Sequence, residues 1–299
     1  MAEVINGILI NEAETKNIMT KSSLPVGGYS VNPYVGCTHA CKYCYASFMK
    51  RFTGHKEEWG TFLDVKHWPE IKNPKKYAGQ RVVIGSVTDG YNPQEEQFGN
   101  TRKLLEQLIG SDADILICTK SDLVVRDIDL LKKLGRVTVS WSINTLDENF
   151  KNDMDSASSI ERRISAMKQV YEAGIRTVCF VSPVFPGITD FEAIFERVKD
   201  QCDLFWLENL NLRGGFKKTI MITSPENILI LYHVTTRSIT SITAATLNPL
   251  RKRLTNIFNE TSEPSSFCCL PIITIGVVDY KHCNQKNLKI YLSTLHKSV

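Results

Sequence analysis

The chain has 299 residues, 42% hydrophobic and 23% charged, with 17 glycines, 11 prolines and a formal charge of +4. That composition excludes a disordered or fibrous chain, and a charge of +4 says little about nucleic acid, whose binders are usually more basic or concentrate their charge on one face. No apolar run reaches the roughly eighteen residues of a membrane span, and the start, MAEVINGILINEAE, carries glutamates where a signal peptide needs lysine or arginine; no membrane role and a cytoplasmic location are expected. Nine cysteines, an odd number in a reducing compartment, point to thiols, metal ligands or catalysis rather than disulfides.

From the N-terminus, residues 1–221 alternate short apolar runs with amphipathic stretches, the pattern of repeated βα units on a parallel sheet. Six strands are expected, at Tyr29–Tyr34, Arg81–Val87, Asp114–Thr119, Val137–Ser142, Arg176–Val181 and Leu204–Asn209. Helical periodicity falls at Lys42–Arg51, Thr101–Ile109, Asp127–Leu134, Ile160–Ala173 and Phe191–Lys199, with Gly135 and Gly174 as C-terminal stops. Six such units suit an α/β partial barrel or an open doubly wound sheet, and both place chemistry at the C-terminal ends of the strands. Beyond Met221 the texture changes. Eighteen of the last 78 residues are Ser or Thr, and that stretch holds eight Lys or Arg against four Asp or Glu, so the whole charge excess lies there. The expected division is a barrel over 1–221 and an irregular tail over 222–299.

Directly after the first strand, VNPYVGCTHACKYCYA sets Cys37, Cys41 and Cys44 in a CxxxCxxC pattern. Spacings of four and three keep the thiolates close. Structural zinc sites and ferredoxin-type clusters take four ligands, so a three-cysteine set leaves one metal position open. The plainer alternatives are a zinc site completed by His39 or His55, or buried thiols.

The CxxxCxxC pattern with Tyr43 before its last cysteine resembles the radical S-adenosylmethionine (radical SAM) superfamily. NPYVGCTHACKYCYA, SVTDGYNP, TKSDLVVRDIDLL, SWSIN and SPVFPGITD follow in the order of its spore-photoproduct-lyase-like branch, nearest the radical SAM mobile pair proteins. The resemblance implies a partial (β/α)6 TIM-like barrel and a [4Fe–4S] cluster on the three cysteines. It also implies S-adenosyl-L-methionine (SAM) on the open iron, and hydrogen abstraction from a substrate the sequence does not name. A reductant such as flavodoxin or ferredoxin and a second radical SAM protein are the implied partners, and nucleic acid stays open. Tyr43 is then an adenine contact. Thr88 and Asp89 end the second strand, where the carboxylate suits the SAM ammonium; Lys120 ends the third, facing the SAM carboxylate or the cluster; Ser142 and Asn144 end the fourth, within reach of ribose hydroxyls. Other functions that keep these residues are a cluster-bearing electron-transfer or scaffold protein, or an inactive product with an altered C-terminus.

Spore photoproduct lyases carry a hydrogen-donating cysteine where this chain has Gly85, Ser86 and Val87, which speaks against repair of that photoproduct. Cys118 and Cys179, inside strand patterns, read as small buried hydrophobes. The run Lys72, Lys75, Lys76 and Arg81 reads as a solvated face. Cys268, Cys269, His282 and Cys283 read as chance residues of the tail rather than a second metal centre.

Overall fold

The computed structural model describes residues 3–22, 28–185, 187–210, 274–279 and 290–291. Glu3–Ile5 (β1) and Ile8–Glu14 (β2) form an antiparallel hairpin around Asn6 and Gly7, whose φ values of 51° and 78° are the left-handed pair of a type I′ turn. Thr20–Lys21 (β3) leads to Tyr29–Val31 (β4) and Tyr34–Val35 (β5). The single strand expected over Tyr29–Tyr34 is therefore two. Pro33, between them, has no N–H for a ladder, so the chain leaves one sheet and joins another. Phe62–His67 (β6) runs parallel to β2 and antiparallel to β5, which gives a small sheet in the order β1-β2-β6-β5.

Arg81–Ile84 (β7), Asp114–Thr119 (β8), Arg136–Ser142 (β9), Arg176–Val184 (β10) and Leu204–Asn209 (β11) continue from β4 as six consecutive parallel strands. They are the six strands expected from the sequence, with shifted ends. The helices Glu95–Phe98 (α1), Asn100–Leu108 (α2), Ile128–Leu131 (α3), Glu148–Met154 (α4), Ile160–Glu172 (α5) and Phe191–Val198 (α6) fill the connections. The first expected helix is instead a 3-10 helix at Tyr45–Phe52. β3 flanks β4, while Thr274–Asp279 (β12) and Ile290–Tyr291 (β13) extend β11, all antiparallel, so the sheet stays open as a partial barrel. Cys268, Cys269, His282 and Cys283 lie outside the described residues.

Strand alternation separates two faces. Ile115 and Ile117 of β8, Val139 and Trp141 of β9, Cys179 and Val181 of β10 and Phe205 of β11 pack under the helices. There they meet Leu104 and Leu108 of α2 and Ile160, Ile164, Met167 and Val170 of α5, spaced at three and four residues so that one helix face is buried. The opposite side chains face the lumen in register. Cys118 of β8, Ser140 of β9, Val178 of β10 and Leu204 of β11 form one layer; Ser142, Phe180 and Trp206 form the next. Ile143 N–H donates to Phe180 O and prolongs β9, which brings Asn144, Ser182 and Glu208 to the C-terminal mouth.

Candidate functional site

The three cysteines lie on the loop between β5 and the Tyr45–Phe52 helix. Gly36 opens it at φ +89°, where a Cβ would stand 2.4 Å from Phe62 O, so only glycine fits beside β6. Thr88 OH donates to Gly36 O. Two tight turns then fold the loop on itself, with Ala40 N–H donating to Cys37 O (3.2 Å) and Cys44 N–H to Cys41 O (3.1 Å). The α4–α5 connection braces it from the side through Lys42 N–H to Met154 O (2.9 Å) and Ser156 N–H to His39 O (2.8 Å). Beneath the loop, Tyr34 OH donates to Glu95, and Tyr91 OH donates to Asp127 (3.1 Å). Arg126 bridges Glu95 and Asp127, so the SVTDGYNP motif is in part a buried ionic footing.

Burial pushes all three thiols up, Cys41 to about 12, and Cys37 also feels Asp89 and the two neighbouring sulfurs. Cys41 likewise feels Cys44. Lys120 acts the other way on Cys41 and Cys44 and favours their thiolates. Trp59 Nε1 is buried without a hydrogen-bond partner among the described residues and also favours the Cys44 thiolate. A group that must hold negative sulfurs therefore finds a cation and an indole N–H directed at one of them in place. His55 is not spare for a zinc site, since both its ring nitrogens face carboxylates, Glu57 at 3.1 Å and Asp64 at 2.9 Å; His39 Nε2 sits 3.1 Å from Asp89 Oδ2, and its Nδ1 is buried without a partner among the described residues. No three His, Cys, Asp or Glu side chains among the described residues converge on a single ion. A cluster asks for less, one thiolate per iron.

Asp89 is deeply engaged. Its Oδ1 accepts from Tyr91 N–H and Thr119 OH, both at 2.9 Å, and its Oδ2 accepts from Lys120 N–H at 2.7 Å and lies beside His39. Burial works against the charge, but His39 and the two amides outweigh it and hold the carboxyl down to about 2. Lys120, whose backbone is fixed by this contact, has its ammonium 5.6 Å from the Tyr43 ring centroid; burial would lower its pKa, but Cys41 and Asp155 raise it.

Tyr43 packs edge-on against Phe185, and its hydroxyl donates to Asp155 Oδ2 at 2.8 Å. Asp155 Oδ1 accepts from Arg163 Nη2 at 2.7 Å, and Arg163 Nη1 donates to Ser142 O at 3.1 Å. Both charged side chains are 1% exposed. Asp155, Arg163 and Trp59 were not among the residues expected from the sequence; an arginine in a helical pattern and a carboxylate in a loop carry no signal there. Ser142 stands half-buried on the lumen face, and Asn144 is 4% exposed with its Nδ2 unpartnered among the described residues. At the same mouth Ser182 OH donates to Glu208, whose carboxyl burial raises to about 7 against the pull of Ser182 and Lys120.

The structure therefore brings Cys37, Cys41, Cys44, Tyr43, Thr88, Asp89, Lys120, Ser142 and Asn144 to one end of the barrel. The basic run does not join them: Lys72, Lys75 and Lys76 are exposed, and Arg81 pairs with Asp114 at 2.7 Å. No helix among the described residues is long and apolar enough to cross a membrane.

Residues 31–198 match the sequence profile of the Radical SAM superfamily. An uncharacterized protein of Methanocaldococcus jannaschii is 37% identical over 232 residues, covering 76% of this chain and 88% of its own length. A Radical SAM Nalpha-GlyT isomerase of Pseudomonas phage M6 is 27% identical over 180 residues, 58% of this chain and 36% of the phage protein. In fold, the chain is similar to spore photoproduct lyase with bound AdoMet and dinucleoside spore photoproduct, at a TM-score of 0.55 and 17% identity over 73% of this chain and 66% of the lyase. With the profile spanning more than half its length and carrying the cysteine loop at the mouth of an open parallel barrel, the chain belongs to the radical SAM superfamily.

Proposed function

We propose that the protein is a radical SAM enzyme that holds a [4Fe–4S] cluster on Cys37, Cys41 and Cys44 and abstracts a hydrogen atom from a substrate in the barrel lumen. When bound, the cluster supplies the electron that cleaves SAM reductively and releases a 5′-deoxyadenosyl radical. The observation that carries the reading is the gathering of three cysteines on one tightly turned loop at the barrel mouth, with the Lys120 ammonium acting on Cys41 and Cys44 and the Trp59 indole N–H on Cys44.

The chain's own residues divide the work. Lys120 offsets the negative charge of the sulfurs and meets the SAM carboxylate. Tyr43, fixed at its hydroxyl by Asp155, offers its ring to the adenine. Ser142 OH and the unpartnered Asn144 amide are donors for the ribose. Asp89, expected from the sequence to meet the SAM ammonium, has both oxygens occupied, so in this reading it acts through Lys120, whose backbone it holds. Thr88 likewise holds the loop at Gly36. A flavodoxin or ferredoxin would deliver the electron, and a second radical SAM protein is the partner to seek.

Anaerobic reconstitution tests this. About four irons per chain are expected, with an EPR signal of the reduced protein that changes on adding SAM. Replacing Cys37, Cys41 and Cys44 together by Ala should abolish iron binding; a triple variant that keeps its iron defeats the proposal. Asp89→Asn, which loosens the Lys120 backbone, should weaken SAM binding about tenfold through the displaced ammonium, the effect of impairing one charge-assisted contact. An electron-transfer or scaffold protein would hold the cluster but release no 5′-deoxyadenosine from SAM.

A further inference from the structure

One side of the lumen carries polar atoms that the SAM assignment leaves unused. Ser140 Oγ and Trp206 Nε1 are buried without hydrogen-bond partners among the described residues, and Ser140 is 1% exposed as a whole. Both lie on the inward face set by the register of β9, β10 and β11, one layer apart. A buried hydroxyl and a buried indole N–H without partners each forfeit a hydrogen bond to water, a loss proteins accept where a ligand restores it. Two residues beyond Trp206 on the same strand and face stands Glu208, its carboxyl held by Ser182 OH from β10. Phe180 lies edge-on to Trp206 at 5.9 Å and walls the corner with apolar surface.

The only cation acting on the Glu208 carboxyl among the described residues is Lys120. In the function proposed above that ammonium is taken by the SAM carboxylate, which leaves Glu208 with one neutral donor, Ser182, and no counter-charge. A carboxyl so placed seeks a cationic N–H donor from the ligand, while the indole N–H seeks an acceptor oxygen two residues along the strand, about 7 Å away. We propose that Glu208, Ser182 and Trp206 form the substrate-anchoring corner of the lumen and take a substrate bearing a primary ammonium next to a carbonyl, the pattern of an α-aminoacyl group. Ser140, one layer deeper, offers its hydroxyl to the same ligand. The inference rests on the radical SAM reading only through the engagement of Lys120, and its test reads the corner directly.

The probe is glycinamide, added to the reconstituted full chain with SAM present and followed through the 15N-labelled indole resonance of Trp206, which is assigned by its loss in Trp206→Phe. The expected result is a saturable shift of that resonance. Acetamide, which lacks the ammonium, and thymidine, which presents a neutral base, should leave it in place at the same concentration. Glu208→Gln keeps the shape of the side chain and should weaken glycinamide at least tenfold, the effect of losing one charge-assisted hydrogen bond. A shift unaltered in Glu208→Gln overturns the proposal, as does one produced equally by acetamide. A response to thymidine instead would give the corner to nucleobases and overturn it too. Loss of SAM affinity in Glu208→Gln by the same factor would put the carboxyl in the cofactor site and overturn the proposal as well. Iron content and SAM affinity of the wild-type sample report on the radical SAM reading separately, so a failure of either is distinguishable.

Discussion

The hydroxyl of Tyr43 donates to Asp155 Oδ2 at 2.8 Å, and this one contact joins the cysteine loop to the α4–α5 connection, two segments 112 residues apart. On its other oxygen Asp155 accepts from Arg163, which in turn reaches the carbonyl of Ser142 at the end of β9. The aromatic ring of the cysteine motif and the end of the fourth parallel strand are thereby fixed to each other through a buried ion pair.

Breaking that pair should be more harmful than trimming it. Asp155→Asn leaves the Arg163 guanidinium buried without its counter-charge, a defect worth about 3–5 kcal/mol. Tyr43→Phe removes one hydrogen bond to a carboxylate that keeps Arg163, about 1.5–3 kcal/mol. Thermal unfolding should place the two variants in that order, with Asp155→Asn lowering Tm by about 10 °C. A Tyr43→Phe protein less stable than Asp155→Asn would mean that ring packing, not the charge pair, holds the loop.

Gly36 is the second fixed point. Its φ of +89° and the 2.4 Å approach of an added Cβ to Phe62 O leave no room for alanine unless the loop moves away from β6. Gly36→Ala should therefore displace the loop that carries Cys37 and reduce iron loading after reconstitution by half or more. Gly54→Ala is the control: its φ is also positive, at +77°, but nothing lies within 4 Å, so it bears the backbone strain without the collision. Equal iron loading in both would remove the steric account.

The six parallel strands and the cysteine motif were legible in the sequence because each strand is a short apolar run and the motif is local. The hairpin around Asn6 and Gly7 was not among the expected elements, nor was the small sheet it begins. Completing that sheet requires β6, more than fifty residues away, and no local pattern announces a parallel partner at that distance. Asp155 and Arg163 were invisible for a similar reason: their meaning comes from a pairing that exists only once α5 packs on the barrel. Asp89 shows the opposite limit. Its place in the loop that follows β7 was readable, but its four neighbours, which occupy both oxygens, were not.

Glu208 should mark the pH dependence of stability. Burial raises its carboxyl from the ordinary range to about 7, against the weaker opposing effects of Ser182 and Lys120. The folded chain therefore binds the proton more tightly than the unfolded one. The stability this gives is complete below about pH 4.5 and is lost as pH rises through about 7. Allowing for partial exposure, the swing is about 2 kcal/mol. Glu208→Gln cannot ionise, so its Tm should exceed that of the wild type at pH 8 and fall level with it, or below, at pH 5. Parallel Tm curves for the two proteins would show that Glu208 titrates normally.

In the proposed reaction, the fate of the substrate radical would be set by which atoms near the lumen can return hydrogen. Ser86 stands where the photoproduct lyases would have their donor cysteine, and here its hydroxyl sits 2.5 Å from Ser30 Oγ and within 3.1 Å of Asn32 Nδ2. An O–H bond is much harder to break homolytically than S–H, and this hydroxyl is committed to its neighbours besides. Cys118 is the sulfur that strand alternation turns into the lumen, in the layer of Ser140, whereas Cys179 faces the helices. Reduced enzyme incubated with SAM and spore photoproduct should release 5′-deoxyadenosine without repair to two thymines. If repair does occur, Cys118→Ala should abolish it while leaving SAM cleavage intact. Efficient repair that survives Cys118→Ala would mean that hydrogen comes from a source other than Ser86 or Cys118.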